Sequence, residues 1–143
     1  MNVQFAQKAV IEADGRLLLV RKSMTDPHQP GKWELPGGRL KENESLDDAL
    51  AREVREEVGL QIAPGRPLAI WSWRLGDDAS APTVVAVARL CTVSGGSVSM
   101  DNHDESDHIE CSAWFSPEAV MELDLISSAR GPIQAALASL RIG

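Results

Sequence analysis

The sequence predicts an α/β protein. Short runs rich in β-branched and aromatic residues, cut by turn dipeptides, alternate with segments whose apolar residues recur at helical spacing. Hydrophobic residues make up 43 % of the 143 and charged residues 24 %, globular values that allow a sizeable core. No low-complexity run, internal repeat or linker interrupts the chain, so residues 1–143 are expected to form one domain.

Residues 5–12 and 16–21 read as a β-hairpin, because Asp14-Gly15 between them is the kind of dipeptide that favours a two-residue turn. Residues 23–32, with Pro27, Pro30 and Gly31, read as a loop. A short strand at 33–35 then leads through Pro36-Gly37-Gly38 toward a helix. Ser45 is placed as its N-cap with Asp48 in the first turn, and Gly59 as its terminator, so the helix is expected over residues 46–58. At about 100° per residue, Leu46, Leu50, Val54 and Val58 form one apolar stripe, while Asp48, Arg52 and Arg55 fall on the solvated arc. Residues 68–75 and 83–93 read as strands separated by a turn-rich stretch, with Ser94-Gly95-Gly96 closing the second. Along the first of them Ala69, Trp71, Trp73 and Leu75 alternate onto one face, which points to sheet packing rather than base stacking for the two indoles. A polar loop at 101–107, a strand at 109–115, a helical turn from Ser116-Pro117-Glu118 and a helix at 132–141 complete the order.

The net charge of −7, from 14 basic and 21 acidic residues, argues against a nucleic-acid surface, since a phosphate backbone demands a basic patch. A small phosphorylated ligand remains compatible with acidic residues where a metal carries the positive charge. The first fifteen residues lack the basic and apolar regions of a secretory signal, and no stretch approaches the roughly 18 apolar residues of a membrane span. A cytoplasmic protein without a membrane partner is the expectation. Cys91 and Cys111 fit no metal-ligand spacing and read as small buried hydrophobes; His28, His103 and His108 read as solvated.

Residues 38–60 read GRLKENESLDDALAREVREEVGL. Gly38, Glu44, Arg52, Glu53, Val54, Glu56, Glu57, Gly59 and Leu60 follow the spacing G-x5-E-x7-R-E-(aliphatic)-x-E-E-x-G-(aliphatic). Agreement at all nine positions by chance is on the order of one in a billion per starting residue. On the helix, Glu53, Glu56 and Glu57 are i+3 and i+4 neighbours, so they share a face, and two of them edge into the apolar stripe. Carboxylates so placed repel one another and resist burial unless a cation offsets them, and hard oxygens in a cluster suit Mg²⁺ or Mn²⁺.

This pattern resembles the Nudix box, the signature of hydrolases that cleave pyrophosphate linkages in nucleoside diphosphates joined to another group; Gly37 supplies the preceding glycine usual there. The resemblance implies a mixed sheet held between helices, with the box helix on one face. It further implies that Glu53, Glu56 and Glu57 bind one or more divalent metals together with the backbone carbonyl of Gly38 or Gly37. Arg52 and Glu44 would pair with members of the cluster and hold the loop against the helix. The metal would neutralise pyrophosphate oxygens and orient a water that a carboxylate deprotonates. Arg21 and Arg39 are candidate phosphate contacts, guanidinium being suited to phosphate. Dimers are common among similar proteins.

For the substrate, the marks of several subgroups are missing. The chain has no tyrosine, whereas relatives acting on dinucleoside polyphosphates carry one beyond the box. The first proline after Pro67 is Pro82, too far on for the ADP-ribose pattern, and the upstream pattern of coenzyme A hydrolases is not evident. The expected small-molecule substrate is a nucleoside or deoxynucleoside triphosphate, cut to the monophosphate and pyrophosphate. A nucleotide sugar is the alternative, and a non-catalytic nucleotide-binding sensor is the alternative from another class.

Similar sites draw a further acid from a late loop before a Trp-containing strand, here the one holding Trp114. Of the four acids in residues 101–107, Glu105 is chosen as metal ligand or general base for its reach, with Asp107 second.

Overall fold

A computed structural model of the protein describes residues 2–100 and 108–142. The described elements are β1 (Val3–Ala13), β2 (Arg16–Lys22), β3 (Trp33–Glu34), β4 (Gly37–Arg39), α1 (Leu46–Val58), β5 (Leu60–Arg74), β6 (Thr83–Gly96), β7 (Ile109–Phe115), α2 (Pro117–Glu122) and α3 (Arg130–Ile142). The strands form one sheet in the order β3-β2-β1-β6-β5, with β4 added on β1 and β7 on β2. Only the β1–β6 pair is parallel among these.

The predicted hairpin forms as read. Ala13 pairs with Arg16, and Asp14 and Gly15 turn the chain with φ of 52° and 75°. From this hairpin the period of two sends alternate side chains to opposite faces. Leu18 and Val20 join Ala9 and Ile11 under Leu50, Val54 and Val58 of α1. Leu17 and Leu19 join Val10 under Val120 of α2 and Ile133, Ala136 and Leu137 of α3. The sheet is therefore sandwiched between α1 on one side and α2 and α3 on the other, the mixed α/β arrangement expected.

Helix α1 spans Leu46–Val58 as predicted: the Ser45 hydroxyl accepts from the Asp48 amide, and Gly59 closes it in the left-handed region with φ 79°. Its buried side is shifted from the predicted stripe. Leu46 is 47 % exposed because it lies in the first turn, ahead of the packed part of the helix, whereas Ala49 and Glu57 are buried beside Leu50, Val54 and Val58. Arg52 also leaves the solvated arc, since its side chain folds back among carboxylates and is only 16 % exposed.

Strand β5 starts at Leu60, well before the predicted residue 68. Its register against β6 breaks around Pro64 and Pro67, where the missing amide donors force irregular pairing. Prolines thus disguised a strand as a loop. Gly37-Gly38, expected within a loop, is instead strand β4, with Gly37 opposite Lys8 and Gly38 opposite Gln7. Trp71 and Trp73 do pack on the sheet, over Ala6, Val84 and Ala86, with ring centroids 6.4 Å apart. Leu75 lies past the end of β5 and is exposed. Cys91 is buried as expected, Cys111 half-buried, and both are free thiols. His28 is exposed, while His108 is half-buried with Nδ1 within 3.1 Å of Thr25 Oγ1. His103 lies outside the described residues.

Candidate active site

The β4 strand and helix α1 bring the two halves of the sequence motif together. The Gly37 amide donates to the Glu57 carboxylate at 3.1 and 3.4 Å. Gly38 has the Glu53 carboxylate directly over its Cα, in the space that a Cβ would need. Glycines here let the backbone run close enough to the helix for both acids to reach it.

Arg52 ties the preceding loop to the helix. Its Nε and Nη2 donate to the two oxygens of Glu44 at 2.6 and 2.9 Å, a bidentate pair, and Nη1 donates to Glu53 at 3.0 Å and Glu56 at 3.3 Å. Hydrogen bonds from this guanidinium hold the Glu44 carboxyl below its usual pKa. Glu44 also accepts from the Lys41 amide at 3.2 Å, which fixes the loop ahead of Ser45.

Glu57 is the most constrained acid. It is 2 % exposed, and burial pushes its pKa up to about 8 against the attraction of Lys8 and the Gly37 N–H. Lys8 shares this interior. Burial would lower its pKa, but the attraction of Glu34 and Glu57 outweighs that and raises it. Lys8 and Lys22 both reach Glu34 Oε1 at 3.5 Å. A second buried polar group braces the same region: Gln7 donates to the Leu46 carbonyl at 2.7 Å and accepts from Arg89, which in turn pairs with Asp47 at 2.7 Å.

Lys8, Glu34, Gln7 and Arg89 were not foreseen as members of this site. The one available signal was a polar pair, Gln7-Lys8, inside an otherwise apolar strand. Arg21 stands apart, donating to the Gly31 carbonyl at 3.2 Å and pairing with Glu110 at 3.7 Å. Arg39 is exposed at the end of β4, one residue beyond Gly38. Glu105 and Asp107 lie outside the described residues.

Among the described residues, no three His, Cys, Asp or Glu side chains are gathered closely enough to hold a metal ion. Glu53 and Glu56 lie instead on Arg52, and Glu57 on Gly37. The donor chemistry nevertheless fits a hard dication: carboxylates share one helix face, one of them is buried at a large desolvation cost, and two glycines lie alongside.

The buried acid has a consequence for stability. A carboxyl whose pKa is higher in the folded than in the unfolded chain binds its proton more tightly in the fold, so its contribution is complete below about pH 4.5 and is lost as pH rises through about 8. Metal-free protein in chelator should lose on the order of a few kcal/mol between these limits through this group. Urea midpoints across pH 5–8 measure it, and the slope should flatten in Glu57→Gln; an unchanged slope in that variant would place the proton elsewhere.

The sequence pattern of the NUDIX domain matches residues 6–136. The chain is 29 % identical over 126 residues to nucleoside triphosphatase NudI of Escherichia coli, covering 81 % of this chain and 84 % of that protein. It is 41 % identical over 61 residues to the CTP pyrophosphohydrolase of Escherichia coli, a match spanning 43 % of this chain and less than half, 44 %, of that relative. The solution structure of the Escherichia coli ORF135 protein superposes with a TM-score of 0.76 at 26 % identity, covering 99 % of this chain and 92 % of that one. With the motif, the fold and the matched domain in agreement, the chain belongs to the Nudix family of hydrolases.

Proposed function

We propose that the protein cleaves a nucleoside or deoxynucleoside triphosphate to the monophosphate and pyrophosphate, using Mg²⁺ or Mn²⁺ held by Glu53, Glu56, Glu57 and the backbone carbonyl of Gly38 or Gly37. The observation that carries the reading is the convergence of the Glu53 and Glu57 carboxylates on the Gly37-Gly38 backbone, one of them almost fully buried. Nudix hydrolases act on small nucleotides and typically depend on a divalent metal. Likeness to a nucleoside triphosphatase and to a CTP pyrophosphohydrolase supports the triphosphate as substrate.

When bound, such a metal supplies positive charge for the pyrophosphate oxygens and an activated water. The chain's own residues do the rest. The Gly37 amide and the burial around Glu57 hold that carboxylate in place beside the glycine backbone. Arg52 holds Glu53 and Glu56 in line from the side and is itself locked by Glu44. Arg39, exposed beside Gly38 at the end of β4, would contact phosphate, whereas Arg21 must first release Gly31 and Glu110. Glu105 accepts the proton of the attacking water, with Glu53 as the base if it does not.

Incubation with a panel of nucleoside triphosphates, deoxynucleoside triphosphates and nucleotide sugars in Mg²⁺, followed by product analysis, tests the reading. Monophosphate and pyrophosphate from a triphosphate are expected. Stepwise orthophosphate would mean attack at the outer phosphorus, cleavage of the sugars alone would shift the substrate class, and binding without cleavage would make the domain a sensor. Within the same assay, Glu105→Gln should depress kcat with little change in KM, because a group acting on the water affects rate more than binding. A crippled Asp107→Asn beside an active Glu105→Gln would move the role by two residues.

A further inference from the structure

Lys8 is no part of the sequence motif, yet the strand pairing sets it beside the carboxylates. It lies opposite Gly37 across β1 and β4, and the Gly37 amide holds Glu57. Its ammonium pairs with Glu34 at 3.5 Å, and Lys22 pairs with the same oxygen at 3.5 Å. All three side chains are less than a fifth exposed, at 16 %, 19 % and 12 % for Lys8, Lys22 and Glu34. One carboxylate oxygen thus lies within reach of two ammonium groups. Glu57 and, after it, Glu53 add to the attraction that Glu34 exerts on Lys8.

We propose that Lys8 is a tethered cation that competes with the divalent metal for the carboxylates of the active site and thereby sets how tightly that metal binds. The inference rests on the reading of Glu53, Glu56 and Glu57 as metal ligands. In the metal-free protein the ammonium offsets the repulsion among these acids and the cost of burying Glu57. When a dication enters, the same fixed charge repels it, and because the Lys8 side chain is only 16 % exposed, solvent screens the effect little. The sign is the same where the metal displaces a proton from Glu57, because two positive charges are repelled more than the one they replace. Lys8 acts through Glu57 and is a positioning residue: its charge keeps the metal exchangeable and holds the empty site together.

Calorimetric titration with Mn²⁺ at pH 8 and fixed ionic strength, without nucleotide, tests this on wild type, Lys8→Gln and Lys8→Arg. Lys8→Gln is expected to bind Mn²⁺ roughly tenfold tighter while its metal-free urea midpoint falls, and Lys8→Arg to stay within about twofold of wild type. A purely structural role would loosen the site and weaken metal binding in Lys8→Gln. Equal or weaker binding in a folded Lys8→Gln therefore overturns the proposal. If that variant does not fold, Lys22→Gln serves instead: it takes the second ammonium off Glu34, leaving more of that carboxylate to Lys8, and should tighten Mn²⁺ binding about two- to threefold. No tightening there overturns the proposal equally. A wild type that binds no Mn²⁺ overturns the metal-ligand reading and this inference with it, whereas binding that Lys8→Gln leaves unimproved overturns the inference alone.

Discussion

Replacing Glu57 with glutamine is expected to lower turnover by roughly two to three orders of magnitude while the metal-free fold stays intact or gains slightly in stability. The two outcomes diverge because one carboxylate is asked to do opposite things. Buried beside Gly37, it costs the empty protein desolvation and repulsion from Glu34 and Glu53, which a neutral amide of the same shape avoids. As a proposed ligand it supplies negative charge that an amide lacks. Metal should correspondingly stabilise the wild type by mass action, so millimolar Mg²⁺ or Mn²⁺ should raise its melting temperature and leave that of Glu57→Gln nearly unmoved. Wild-type rates in the variant, or equal metal-induced shifts in both proteins, would remove Glu57 from the metal site.

Gly37→Ala should be strongly destabilising, costing about 4 kcal/mol or more. The residue sits at φ 147°, a conformation L side chains rarely adopt, and a Cβ there would overlap the Gln7 carbonyl oxygen and lie 2.9 Å from the Lys8 Cα. Both obstacles are backbone atoms of the strand β4 pairs with, so relief means parting β4 from β1. In the neighbouring Gly38→Ala the nearest atoms to the added Cβ are those of the Glu53 carboxylate, the far end of a flexible side chain. That variant should keep a near-wild-type urea midpoint yet lose roughly tenfold or more of activity as Glu53 is displaced. Equal midpoints for the two alanine variants would show that β4 is not held by this close approach.

Helix α1, its Ser45 and Gly59 caps, the hairpin at Asp14-Gly15 and the clustering of Glu53, Glu56 and Glu57 on one helix face were legible in the amino-acid order. Each depends on residues within a few positions of one another, where spacing and turn chemistry decide. Local reading failed where pairing partners were distant. Gly37-Gly38 looked like a loop because two glycines have no strand propensity, and became β4 because β1, some thirty residues earlier, offers it a register. Pro64 and Pro67 hid the first half of β5 in the same way. Arg52, placed on the solvated arc by periodicity alone, is drawn back by Glu44, eight residues before it. Sequence by itself thus determined the family motif and the helix that presents its acids. Only the tertiary structure decided that Glu57 is buried, that Gly38 lies under Glu53, and that Lys8 and Glu34 share their interior, because charge and burial at a site are set by what the sheet pairs across it.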